Sequence, residues 1–422
     1  MKLKALFFSI LVFFLFSTVS VFAQQPDDYL YDEVIARYSE NEPKIFEPNY
    51  IVEPYVTELS WPTTMSFVND ELLVLEKNNG YVRHISSNGD LYPQPVLDVE
   101  VSNYLERGLL GIISDDSSVY LYFTESDRDG GDPIANNIYK YNWTGTKLED
   151  QFLMKSLPAY PEAVMHQGGV LVIDHDGTVF AVIGDQDSQD LERGPNILQN
   201  QFGFPDDTGV IIPIDSSDSY RAIGIRNSFG LTIDPVTGNM WQTENGPFRF
   251  DELNLITPKF NGGWNAHSGP IEQSIINVID TPDFVGVIKS HLQLFLSSIY
   301  GIFMLNENYI YTDPAFSWEE PISPTGLNFA PSSFGKYENW LFVGDCNFGH
   351  IYKFKLNSER NGLEFSEKKL KDLMFNPTDP IDEIIFGEGF GCITDIEFKD
   401  DSMYITSLSH GTIYKIFLKT QN

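Results

Sequence analysis

The sequence predicts an all-β protein, a six-bladed β-propeller of four-stranded antiparallel blades, and three observations lead there. Helical periodicity is nearly absent after residue 48. Short runs of β-branched and aromatic residues recur in pairs around polar or glycine-containing tips. Six such units follow one another at an irregular spacing, roughly the 40–50 residues of a propeller blade. One hairpin cannot bury its apolar faces alone, whereas six small sheets closed radially can. A β-sandwich is the competing class, but it rarely repeats one hairpin register.

The elements follow in chain order. Residues 71–76 and 81–85 flank Asn78-Asn79-Gly80, and residues 119–124 and 137–141 flank an Asp/Gly-rich loop. Residues 178–183 run into Gly184-Asp185, and residues 239–243 precede 252–256. Residues 340–343 and 349–354 form the fifth pair, and 402–406 and 411–416 the sixth. The last two pairs are visibly one unit: an apolar strand, a polar tip, a glycine, then x-Ile-Tyr-Lys followed by Phe or Ile. A strand near residues 51–59 is expected to close the ring, because an open array would leave exposed edges. Residues 266–321 are expected to be an insertion that caps one face, since a connection that long carries structure of its own or a function.

The amino terminus reads as a leader over residues 1–23. Lys2 and Lys4 precede an apolar stretch from Leu6 to Phe16, and Val21-Phe22-Ala23 offers a small-residue cleavage site. An uncleaved N-terminal anchor is the rival reading; no later segment is apolar enough to span a bilayer. Residues 24–48 read as an irregular lead-in and 49–422 as one propeller domain. The protein is therefore expected to be secreted or extracytoplasmic. The formal net charge of −33 excludes nucleic acid and anionic lipid surfaces as good partners. Asn142-Trp143-Thr144 is a glycosylation sequon, of a length that arises often by chance.

Propellers place function on loops near the central axis, so polar residues beside glycines in such loops are the candidates. His166, followed by Gln167-Gly168-Gly169, is a titratable base in a segment that another group can approach closely. Arg226 with Asn227 is a fixed cation beside an amide, suited to a planar anion. Gly246-Pro247 offers carbonyls outside a regular ladder, and with Asp251 and Glu252 nearby these suit a hard cation. Glu106-Arg107-Gly108 and Pro324-Thr325-Gly326 complete the set. Each has a plainer reading: a structural histidine, a turn, a solvated tip. There is no CxxC, HExxH, Walker A or GxSxG motif.

Taken together and in this order, these stretches resemble the soluble glucose dehydrogenase or glucose/sorbosone dehydrogenase family. The resemblance runs from about residue 59 to 418, and "RNSFGLTIDPVTGNMWQTENGP…DELNLI" is its most specific part. It implies a six-bladed propeller that oxidises the anomeric carbon of a sugar with pyrroloquinoline quinone (PQQ) and calcium, and passes the electrons to an external acceptor. His166 then matches the general base. Arg226 and Asn227 match cofactor-binding positions, with Arg226 stabilising charge on a quinone oxygen. Glu106 and Thr325 fall near the cofactor rim. Gly246 and Pro247 match calcium-binding carbonyls, and Glu252 matches an additional calcium position.

Three departures stand beside the match. A cofactor-binding Lys of the family falls on Asn347, and the family's Arg-x-Arg-Asp pattern reads Cys392-Ile393-Thr394-Asp395. At about 1.5–3 kcal/mol for each charged hydrogen bond, this forfeits roughly 5–9 kcal/mol, or about 10³–10⁶ in affinity for an anionic cofactor. Arg107, Arg249 and Lys77 are the candidate replacements. A non-catalytic propeller that binds a glycan or protein partner is the alternative function. The two cysteines, Cys346 and Cys392, are both expected at the channel mouth, where an oxidising compartment favours pairing; the alternative is two buried small hydrophobes.

Overall fold

The computed structural model describes residues 42–419 except 116, 187–206, 216–219, 265–266 and 272–308. The leader, most of the lead-in and the centre of the 266–321 insertion lie outside the described residues.

The described strands form six sheets. Blade one holds Pro62–Val68, Glu71–Glu76, Tyr81–Ile85 and Leu97–Asp98, and blade two Leu109–Ser114, Ser118–Glu125, Ala135–Trp143 and Leu148–Leu157. Blade three starts with Gly168–Ile173, Val179–Ile183, Val210–Pro213 and Ala222–Ile223, and blade four with Gly230–Ile233, Met240–Glu244, Asp251–Ile256 and Phe316–Trp318. Blade five holds Pro324–Phe329, Leu341–Asp345, Ile351–Phe354 and Ile385–Glu388. Blade six holds Ile393–Lys399, Ser402–Ser407 and Thr412–Leu418, completed by Tyr50–Val56 from the other end of the chain. The first strand of each blade contacts the first strand of the next, and blade six returns to blade one.

The propeller class is as expected; uniform four-stranded blades are not. Blades three, four and five carry extra short strands, and the reason is that later segments dock on their outer edges. Phe260–Asn261 and Ile310–Tyr311 extend blade three in parallel, Met374–Phe375 extends blade four in parallel, and Lys44–Ile45 pairs with Ile385–Glu388. The end of the lead-in, expected to be irregular, is thus a strand. Within 266–321, Phe316–Trp318 is the fourth strand of blade four rather than an appendage, because it pairs antiparallel with Asp251–Leu253.

Register irregularities recur at the start of the innermost strand. They fall between Pro62 and Met65, Leu109 and Gly111, Gly168 and Leu171, Pro324 and Leu327, and Ile393 and Asp395 against the neighbouring strand. A bulge turns local side chains out of the regular alternation, so one end of five innermost strands presents side chains to the central channel. The core lies between blades: Trp241, Phe316, Trp318, Tyr352 and Phe354 form one buried cluster from blades four and five. Innermost strands also approach closely. A Cβ on Gly230 would fall 2.0 Å from the Thr325 carbonyl oxygen, so only glycine fits.

Closure depends on Tyr50–Val56 pairing antiparallel with Thr412–Leu418. Tyr50 is buried against Phe334, Tyr337 and Phe386, and its hydroxyl donates to the Phe334 carbonyl at 2.7 Å. Tyr50→Ala should cost about 3–5 kcal/mol, as for other large aromatics. Urea denaturation checks this: the midpoint falls while the slope is unchanged.

Candidate functional site

A cavity of about 390 Å³ opens where the innermost strands begin. Thr63, Leu110, Gly168, Thr325 and Thr394 line it, each at or near the start of its strand. Met65, Ile112, Val170, Leu327 and Glu397, farther along the same strands, line a second cavity of about 330 Å³ deeper in the channel. Of the expected residues, His166, Arg226, Asn227, Glu106, Thr325 and Gly246 all line the first cavity, although they come from different blades. Pro247 and Glu252 are not among its lining residues.

His166 sits just before the first strand of blade three, at a φ of +56°. This left-handed conformation is uncommon for a non-glycine residue and persists only where the surroundings hold it. Hydrogen bonds to its backbone and its ring hold it. The Glu106 Oε2 accepts from the His166 backbone N–H at 2.6 Å, the Gln186 N–H donates to the His166 carbonyl at 3.2 Å, and His166 Nδ1 lies 2.7 Å from Asp185 Oδ1. Gly184 makes this approach possible, since a Cβ there would fall 2.1 Å from the His166 carbonyl oxygen. Asp185 is buried, and its Oδ2 accepts from Trp264 Nε1 at 2.7 Å. Burial alone would lower the His166 pKa. The hydrogen bond with Asp185 and the charges of Glu106 and Asp185 outweigh burial and the repulsion of Arg226, so the ring titrates above its ordinary value.

Arg226 Nη1 donates to the Asn245 carbonyl at 2.8 Å, and its guanidinium lies over the Trp264 ring, 5.4 Å from the centroid. Its carbonyl accepts from the Asp185 N–H at 2.7 Å, tying the Arg226 loop to the histidine's partner. Asn227 Nδ2 donates to Glu106, whose carboxylate therefore joins blade two to both His166 and Asn227. Glu106 is a strut of the site rather than a rim contact alone. The Thr325 hydroxyl lies 2.6 Å from the Ile393 carbonyl oxygen and clips blade five to blade six.

Behind Gly246 the buried titratable groups are carboxylates. Glu244 and Glu252 are both buried, and burial, with repulsion from a neighbouring carboxylate, pushes Glu244 up to about 8 and Glu252 up to about 7. Glu244 Oε1 accepts from the Arg226 and Asn227 N–H groups, and Glu252 Oε1 accepts from the Gly269 N–H at 2.6 Å. A small cavity of about 10 Å³ lies among Glu244, Asn245, Gly246 and Glu252. Asn245 Oδ1 is buried without a hydrogen-bond partner. Asp251 accepts from the N–H groups of Gly246, Ile322 and Ser323, fixing the loop that carries Gly246. Among the described residues no three His, Cys, Asp or Glu side chains converge closely enough to hold a metal alone. A cation here would need the Gly246 and Pro247 carbonyls and the orphaned Asn245 oxygen beside Glu252, and this all-oxygen set fits calcium.

PQQ fits at one end only. Arg226 and Asn227 suit adjacent quinone carbonyls, but the side formed by blades five and six offers its carboxylates no cation among the described residues. Cys346 and Cys392 line that side and are joined by a disulfide, so the pairing expectation holds. Of the candidate replacements, Arg107 donates to the carbonyls of Tyr160, Pro161 and Ala163, Arg249 pairs with Glu319, and only Lys77 lines the cavity. Burial draws Lys77 down to about 7 against the pull of Glu106.

Comparisons with known proteins bear on the family and the fold. The glucose/sorbosone dehydrogenase family model matches residues 59–283. The chain belongs to the glucose/sorbosone dehydrogenase family. Its relatives include the aldose sugar dehydrogenase YliI of Escherichia coli, 23% identical over 325 residues that cover 73% of this chain and 81% of the relative. The quinoprotein glucose dehydrogenase B of Acinetobacter calcoaceticus is 24% identical over 328 residues, covering 63% and 67%. The PQQ-bound aldose sugar dehydrogenase of Streptomyces coelicolor has the same fold, with a TM-score of 0.60 at 17% identity, over 90% of this chain and 99% of that one. No helix among the described residues is long and apolar enough to cross a membrane.

Sequence reasoning reached the cavity but missed how it is held. Asp185 stood beside a recognised glycine without a role, and Trp264 carried no local signal, being 79 residues from the aspartate it contacts. Calcium at about 100 times its Kd should stabilise the protein by about 2.7 kcal/mol. Thermal denaturation with and without calcium checks this, and Glu252→Gln should remove most of the gain.

Proposed function

We propose that this family member is an exported aldose dehydrogenase that oxidises the anomeric carbon of a sugar to a lactone. The observation that carries the reading is His166 on the buried Asp185, facing the cavity that Arg226 and Asn227 also line. Aldose sugar dehydrogenases among its relatives and structural neighbours support the substrate class. A calcium-supported quinone held against Arg226 and Asn227 would supply the two-electron acceptor, and an external acceptor would then reoxidise it.

The chain's own residues do the proton work. His166 Nδ1 is committed to Asp185, so Nε2 is the nitrogen assigned to take the proton of the anomeric hydroxyl. As that O–H bond breaks, the C1–O bond becomes a carbonyl and the C1–H bond leaves as hydride, so the sugar loses two electrons and two hydrogens. Asp185 holds the tautomer and stabilises the imidazolium that forms. Arg226 places a positive charge where negative charge develops. Leu110, Met165 and Phe229 form apolar wall that limits water near the reacting bond. The disulfide agrees with an oxidising, extracytoplasmic compartment. The same bridge, placed in the cavity wall, favours the second reading of a non-catalytic glycan binder.

Dye-linked oxidation of aldoses separates the two. His166→Asn keeps a residue tolerated at positive φ and an amide for Asp185, so it should lower kcat by about 10²–10⁴-fold with little change in Tm. Activity requires the neutral ring, so it should rise with pH through the raised pKa of His166. Asp185→Asn removes the largest raising contribution and should move that limb to lower pH. A wild-type protein that binds sugar without oxidising it, with a quinone bound, would support the glycan-binding reading.

A further inference from the structure

Charge divides the cavity into two unlike halves. Blades one to four and the loops between them supply Lys77, Glu106, His166, Arg226 and Asn227, and the wall of blades five and six supplies Ser323, Thr325, Cys346, Asn347, Cys392 and Thr394, with blade one, which carries Lys77, adjoining blade six. Over the whole described lining, the two cations Lys77 and Arg226 stand against the two carboxylates Glu106 and Asp251. Apart from His166, whose raised pKa adds part of a positive charge among the polar residues of blades two to four, a ligand with three carboxylates therefore meets no net positive charge, in a protein whose formal charge is −33.

The neutral side is also short of donors. One of the two N–H groups on Asn347 Nδ2 donates to the Pro321 carbonyl at 3.2 Å, and the Thr394 hydroxyl donates to the Pro62 carbonyl at 3.2 Å. The Thr325 hydroxyl is spent on Ile393. The backbone N–H groups of Cys346 and Asn347 donate to the carbonyls of Ser323 and Ile322. Two basic groups of blade five do not line the cavity and are held elsewhere: His350 Nδ1 lies 3.2 Å from the Tyr352 hydroxyl, and Lys353 Nζ donates to the Ile385 carbonyl. The bridge fixes the wall across blades five and six, joining residues 46 apart in sequence. A carboxylate seated there would lose water and gain no charged partner, only neutral donors such as the second N–H of Asn347 and the Ser323 hydroxyl.

We propose that the half of the cavity walled by the Cys346–Cys392 bridge, Asn347, Thr325 and Thr394 receives an uncharged ligand end, so that the quinone this chain takes carries no carboxylate on that side. The inference rests on the dehydrogenase reading and narrows it to a ligand class: a planar quinone with its carbonyls toward Arg226 and Asn227 and a neutral end toward the disulfide.

Calorimetry on the full chain with calcium present, comparing PQQ with its trimethyl ester, tests this without a variant. The two probes share one ring system and differ in charge. The ester should bind at least about tenfold tighter, a difference of about 1.4 kcal/mol. Asn347→Lys, at a half-buried wall position, should raise the affinity for the acid by about tenfold or more and leave the ester nearly unchanged. Binding of the acid as tightly as the ester, or tighter, in the wild-type protein overturns the inference and leaves the dehydrogenase reading standing. Binding of neither probe, with sugar bound but not oxidised, overturns both.

Discussion

The structure depends on one antiparallel pairing, that of Tyr50–Val56 with Thr412–Leu418. Every blade presents an apolar face that only a neighbouring blade can cover, so the ring has no stable partial form that buries all of its faces. Closure fixes the distances between the first strands of the blades, and the cavity exists because those strands stop turning regular side chains inward at one end. A functional site assembled from five or six loops needs a scaffold that leaves each loop no freedom to drift. The pairing of the two chain ends supplies that constraint.

Within the scaffold, buried carboxylates do the cross-linking. Glu106 joins blade two to His166 and Asn227, Glu244 receives the N–H groups of Arg226 and Asn227, and Asp251 receives those of Gly246, Ile322 and Ser323. Asp395 of blade six accepts from the Met65 N–H of blade one at 2.7 Å. Each takes backbone donors that the bulged or looped chain leaves outside a ladder. The acidic composition is thus partly structural. The same side chains set the field in which the candidate base works, since Glu106 and Asp185 together raise His166.

The fold was legible in the sequence where its cause is local. The hairpin at residues 71–85 was read strand for strand, because alternation and an Asn-Asn-Gly tip are properties of adjacent residues. Edge strands such as Lys44–Ile45 and Phe316–Trp318 were misjudged, because two or three residues carry no period and their partners are distant in sequence. The site follows the same division. His166, Arg226 and Gly246 were marked by glycines or by a recurring pattern, and they do meet at one cavity. Asp185 and Trp264 act through contacts between loops, and nothing in their neighbours along the chain announces it. Arg107 looked like a spare cation, yet its guanidinium caps three carbonyls of one loop.

The register Tyr50↔Leu418 has a consequence for how the molecule comes into being. A ribosome makes the first of these strands more than 350 residues before the second. Until residues 412–418 are made, the earlier strand lacks this partner, and the start of blade one has no sixth blade to lean on. Contacts of such sequence separation make folding slow, and the waiting edge is a template for pairing with another chain. The finished ring, by contrast, can open only by freeing a whole strand at once, which makes its loss slow as well. The fold is thereby most vulnerable before the ring closes and least vulnerable afterwards.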